Sequence, residues 1–118
     1  CAMGYDSRSP IYLQVVDLLK KRMVQGDIHP GDKLPSTRAL ALEYGVNPNT
    51  AARIYDEMEA LGLCHTERGL GTFMTGDASI VISLRREMAE TLTRDFMREM
   101  AALGYSIEAM KQAIEEEL

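Results

Sequence analysis

Between two stretches with helical apolar spacing the chain reads Gly45-Val46-Asn47-Pro48, and this short break limits what the fold can be. Gly45 suits the left-handed exit that ends a helix. Pro48 is disfavoured inside a helix, yet its missing N–H and fixed φ favour it at the first helical position. Asn47 precedes the proline and is pushed out of the helical region, which is where an N-cap residue must sit. The spacing therefore predicts two helices separated by a tight turn, with Pro48 beginning the second of them.

The helix before the turn starts at Ser36, a good N-cap, and runs through Arg38, Leu40, Ala41 and Tyr44. In the helix after it, Ala51, Ile54, Tyr55, Met58 and Leu61 gather on one side. Asn49, Thr50 and Arg53 span only about 100° of the other, a short polar row near the N-terminus. An earlier helix starts near Ser9, expected as its cap, with Pro10 in the first turn, and buries Tyr12, Val15, Val16, Leu19 and Met23 along one face. Pro30, Gly31 and Pro35 make "GDIHPGDKLPS" a tight, ordered connection.

After Gly62, "LCHTERGLGTFMT" reads as a hairpin with strands over 63–66 and 72–75 and a tip of Arg68, Gly69, Leu70 and Gly71. Two strands alone are marginal, so they must pack on the helices. From Ile80 onward Leu84, Met88, Leu92, Phe96, Met100 and Leu103 recur mostly every four residues, a stripe that winds around a long helix. Gly104 closes it, and Ser106 caps a last helix carrying Ile107, Met110, Ile114 and Leu118. The expected fold is mostly α: a winged helix-turn-helix, with three helices and a two-stranded wing, followed by a two-helix appendage. Its parts are an N-terminal extension over 1–9, the winged domain over 10–76 and a helical tail over 77–118.

In a winged helix-turn-helix the third helix enters the major groove of double-stranded DNA and its first side chains reach base edges. A net charge of −5 over 118 residues at first speaks against that partner, because phosphates demand cations. The acidity is unevenly placed, however. Residues 1–76 carry 8 Lys/Arg against 9 Asp/Glu, whereas residues 77–118 carry 5 against 9. Short apolar runs, far below the roughly 20 residues that cross a bilayer, leave no membrane segment, and a soluble cytoplasmic protein is expected. The two cysteines make no disulfide framework. Cys1 opens a "CAMG" stretch with the look of a processed or appended start, and Cys64 sits among apolar neighbours as a buried or half-buried thiol.

Residues 10–74, "PIYLQVVDLLKKRMVQGDIHPGDKLPSTRALALEYGVNPNTAARIYDEMEALGLCHTERGLGTFM", resemble the GntR family of bacterial transcription regulators. The "VNPNT" form and the short helical tail are most similar to its YtrA-type subfamily. The resemblance implies a DNA-binding regulator, a repressor acting as a homodimer on a palindromic operator, with no cofactor and an unspecified effector. The arginine after "LPS" falls on Arg38, the polar residues of the recognition helix on Asn47, Asn49 and Thr50, and the arginine beside the helix-3 tyrosine on Arg53. The wing falls on Arg68, Gly69 and Gly71. Other GntR subfamilies carry an arginine where Ala52 stands here, one position earlier. The tail of about 40 residues has room for a dimerisation appendage and none for the family's large ligand-binding domains. Its stripe of Leu84, Met88, Leu92, Phe96 and Met100 is the expected dimer interface.

Each candidate also has a plainer role. Asn47 is equally well an N-cap, Thr50 a residue bonded to its own helix, and Arg53 a solvated charge. Asn49 at a groove-entering position can contact adenine bidentately, and Ser36 and Arg38 stand where this motif meets a phosphate. Asp56 and Glu57 would be repelled by phosphates, so only the first turns of helix 3 should enter the groove. Lys20, Lys21 and Arg22 read as a solvated helix face. An enzyme is not expected. His29 and His65 stand apart, Cys64-His65 lacks the second pair a zinc site requires, and the methionines suit packing. The rival function is a winged-helix protein-interaction or oligomerisation module without DNA binding.

Overall fold

The computed structural model describes residues 9–118. The first eight positions of the expected N-terminal extension, Cys1 included, lie outside the described residues. The elements run α1 (Ile11–Gln25), α2 (Thr37–Tyr44), α3 (Pro48–Ala60), β1 (Cys64–Glu67), β2 (Gly71–Met74), α4 (Ala78–Ala102) and α5 (Ile107–Glu116). The chain forms two compact units that divide between Leu84 and Arg85, inside α4.

In the first unit the helix ends follow local chemistry. The Ala39 N–H donates to Ser36 Oγ at 3.1 Å, closing the start of α2. Gly45 takes φ 66°, ψ 38°, and the Val46 N–H returns to the Ala41 carbonyl at 3.0 Å. A side chain at Gly45 would meet open space, so the glycine is required for its backbone angle, which L-residues with a Cβ rarely adopt. Asn47 caps α3, its Oδ1 accepting from the Asn49 N–H at 2.8 Å, with Pro48 in the first helical turn.

The start of α1 differs from the expected one. Pro10 is itself the cap residue, with φ −58° and ψ 139°, and no side chain caps the helix. Ser9 contributes its carbonyl, which accepts from Gln14 Nε2 at 2.8 Å. A proline with extended ψ cannot be a helical residue, so the helix begins one position later.

Val15, Leu40, Ile54 and Met58 form the centre of the core, each at 0–2% exposure, where α1, α2, α3 and the wing meet. Two polar groups close this core. The Tyr55 hydroxyl donates to the Pro35 carbonyl at 2.6 Å, tying α3 to the residue ahead of the α2 cap. Burial pushes the Tyr55 phenol well above its ordinary pKa, so it stays a donor. Arg22 Nη1 donates to the Tyr44 hydroxyl at 3.1 Å and lies 3.6 Å from Glu43, so one member of the Lys20–Arg22 run ties α1 to α2.

The wing is displaced by one residue from the expected strands: Cys64 pairs with Met74, His65 with Phe73, Thr66 with Thr72 and Glu67 with Gly71. Leu63 gives its N–H to the Met58 carbonyl at 2.9 Å and so finishes the exit of α3. The sheet also gains cover that spacing does not reveal. Lys33 bridges Phe73, with the Leu34 N–H donating to Thr72 O at 2.7 Å and the Met74 N–H to Asp32 O at 2.8 Å. The connection thus satisfies the outer edge of β2, which an isolated hairpin would leave open.

Asp77 precedes α4, and its Oδ1 accepts from the Ser79 hydroxyl at 2.6 Å and the Ser79 N–H at 2.9 Å. These bonds hold the carboxyl below its usual range. Leu84, the first member of the expected dimer stripe, is 7% exposed and so is already largely covered within a single chain.

The second unit consists of the rest of α4 and α5. Gly104 takes φ 90° as the chain turns, the Tyr105 N–H donates to the Met100 carbonyl at 3.1 Å, and Ser106 Oγ caps α5 through the Ala109 N–H at 3.1 Å. Met110 is buried, but Leu92, Phe96, Leu103 and Ile114 are exposed. Met88 and Met100 are half-buried. From Met88 onward the stripe is thus only partly covered by its own chain, and Leu92 and Phe96 are its exposed members.

Candidate nucleic-acid interface

The polar row sits where the fold leaves α3 open. Because Asn47 Oδ1 engages the Asn49 N–H, its side chain is at least partly committed to the cap, while its amide nitrogen keeps two donors. The Asn49 and Arg53 side chains are exposed, Thr50 is half-buried, and Ala51 between them is fully buried. This alternation anchors the helix on one face and presents Asn49 and Arg53 on the other. Asp56 is exposed further along the same helix and Glu57 is half-buried. The sign of charge therefore changes along α3, and anions favour only its first turns.

Arg53 has a partner that spacing did not supply. Its Cζ lies 4.1 Å from the centroid of the Tyr12 ring on α1. At that separation the guanidinium is held by the negative face of the ring.

Arg38 is exposed in the first turn of α2, two residues after the Ser36 cap. Free N–H groups and a cation there make an anion-favouring corner. On the wing, Gly69 and Gly71 take φ 80° and 122°, and the Leu70 N–H donates to the Glu67 carbonyl at 2.9 Å, turning Arg68 and Leu70 outward at an exposed tip. Lys33 is the residue that sequence reasoning missed here. A Cβ built on Gly71 would stand 3.0 Å from Lys33 Cε, so the lysine stem lies across the glycine and its exposed ammonium joins the wing. No local signal marks Lys33, because its position depends on a bridge to Phe73, far along the chain.

Among the described residues no three His, Cys, Asp or Glu side chains gather as a metal site. Cys64 is buried with Sγ 3.8 Å from the Tyr55 carbonyl, and burial pushes its thiol up to about 11. It stays protonated near neutral pH and is no nucleophile. Among the described residues no helix is long and apolar enough to cross a membrane.

A capped, polar helix start, a short turn before it and a cation-bearing wing form the geometry of a DNA-reading module. The family described as "Bacterial regulatory proteins, gntR family" matches residues 11–74. The chain belongs to this gntR family.

Within the family the similarity extends over the tail as well. The chain is 43% identical to the uncharacterized HTH-type transcriptional regulator YhcF of Bacillus subtilis, over 93% of this chain and 91% of that protein. It is 32% identical to the HTH-type transcriptional repressor YtrA of the same organism, over 93% and 85%. Among solved structures, a GntR family transcriptional regulator from Listeria monocytogenes superposes with a TM-score of 0.89 at 36% identity, covering 95% of this chain and 98% of that one. The DNA-binding domain of AraR in complex with operator ORR3 matches with a TM-score of 0.55 at 29% identity, over 62% and 88%. This gntR chain is therefore a DNA-binding transcription regulator of the small YhcF and YtrA type, and not an enzyme.

Proposed function

We propose that this gntR regulator is a cytoplasmic repressor that binds a palindromic operator as a homodimer. The observation that carries the reading is the exposed pair Asn49 and Arg53 at the capped start of α3, with acidic residues confined to later turns. Asn49 reads adenine with its amide, and Arg53 reads guanine or an adjacent acceptor. Thr50, half-buried, contributes a short-range contact, and Asn47 combines its cap with a donor to the DNA. Ser36 and Arg38 bind a phosphate at the start of α2. Arg68, Gly69 and Gly71 bring the wing to the backbone or minor groove, where Lys33 adds a second cation.

Dimerisation is supported by the apolar stripe of Met88, Leu92, Phe96 and Met100, of which a single chain leaves Leu92 and Phe96 exposed and Met88 and Met100 half-buried. A two-fold dimer presents two α3 helices to successive major grooves about 10 base pairs apart, hence the palindrome. Repression is supported by the similarity to the repressor YtrA, and a dimer seated over a promoter would exclude polymerase.

Selection of bound duplexes from a random pool tests the reading. Inverted half-sites with centres about 10 base pairs apart are expected, and recovery of no enriched sequence by folded protein would refute it. Transcription in vitro from a promoter carrying the selected site should fall as the protein is added. Asn49→Ala should relax preference at one position per half-site, a loss of about 1–3 kcal/mol in discrimination. Lys33→Ala should instead weaken binding to all sequences alike and reduce the salt slope by about 1 per subunit. Sequence-selective loss in the Lys33 variant would contradict a phosphate role.

A further inference from the structure

Arg53 reaches from α3 to α1, where its guanidinium carbon lies 4.1 Å from the centre of the Tyr12 ring. Tyr12 is half-buried in the first turns of α1, so the ring is itself held by the fold. Among the described residues no carboxylate pairs with Arg53. A ring under the guanidinium occupies its flat face and leaves the N–H donors around its edge uncommitted. An ion pair would have engaged those same donors. The arrangement therefore restrains a long side chain without using the groups that recognise an acceptor.

We propose that Tyr12 is a positioning residue for Arg53, holding the guanidinium ready for its base contact in the operator. This rests on the assignment of Arg53 to the reading row. The ring removes rotamers that Arg53 would otherwise lose on binding, so its contribution appears as affinity for the operator and not as new contacts. It also explains how an arginine at position 53 can serve as a reader: the α1 ring lies under it, and a side chain at Ala52 would begin from another direction on the helix.

The test measures binding of the full chain to the duplex recovered from random-pool selection and to a scrambled duplex of the same composition. Tyr12→Leu should weaken operator binding about fivefold per half-site and leave scrambled binding unchanged. Tyr12→Phe, which keeps the ring, should bind as the parent does. Combined with Arg53→Ala, Tyr12→Leu should cause no further loss, since its effect acts through the arginine. Equal loss on both duplexes, failure of Tyr12→Phe to restore binding, or additive losses would each overturn the positioning role. Thermal melting of each variant identifies a general loss of folding, and the Tyr12→Phe comparison stands even if Tyr12→Leu is unstable. If Arg53→Ala lowers operator preference and Tyr12→Leu does not, only the positioning role falls. If Arg53→Ala retains full preference, the reading row falls with it.

Discussion

Phe96→Asp is expected to give a monomer whose operator affinity is lower by about 100-fold or more. Phe96 is 37% exposed and its neighbour along the stripe, Leu92, is 66% exposed, so both offer apolar surface for a second copy. In a symmetric pair the substitution would bury two unpaired carboxylates, a cost far larger than the loss of ring contacts. Each half-site alone is weak, and the tail converts the second contact into an intramolecular one at an effective concentration in the millimolar range. Phe96 lies in the second unit, so the winged unit should melt as before and bind nonspecific DNA weakly. Sedimentation and operator titration measure the two effects together. A variant that remains dimeric at the parent's concentrations would exclude this stripe as the interface.

Leu40→Ala should lower stability by about 2–5 kcal/mol, a large part of what a domain of this size has. Leu40 has 0% exposure and lies on α2 facing the core shared with α3, so truncation leaves a cavity beneath the helix pair that presents the reading row. The melting temperature should fall by roughly 10 °C or more, recorded by helical circular dichroism. Saturating operator should recover part of the loss, because only the folded chain binds it. A fall under 1 kcal/mol would mean that the α2–α3 core is not what holds the interface in place.

The contrast between these sites reflects how far each depends on its neighbours in sequence. The turn between α2 and α3 is legible because cap and exit chemistry lie within a few residues: Ser36 to Ala39, Gly45 with its positive φ, Asn47 to Asn49. The burial of Ala51, Ile54, Tyr55 and Met58 follows from helical periodicity for the same reason. Boundaries were less legible where a backbone group had two possible partners. Leu63 gives its N–H to the α3 exit while its carbonyl accepts from the Thr75 N–H, and Pro10 caps α1 instead of entering it.

Sequence alone determined the element order, the helix-turn-helix with its wing, the polar side of α3 and the family, because these rest on local dihedral preferences and on motifs read in order. Tertiary structure alone decided three matters that depend on residues distant in the chain. Lys33 joins the wing through its bridge to Phe73, and Arg53 rests on Tyr12 two helices away. Leu84, identical in spacing to the exposed members of its stripe, is buried in its own chain. Periodicity tells which side of a helix is apolar, but only the packed fold decides which part of that side is already covered.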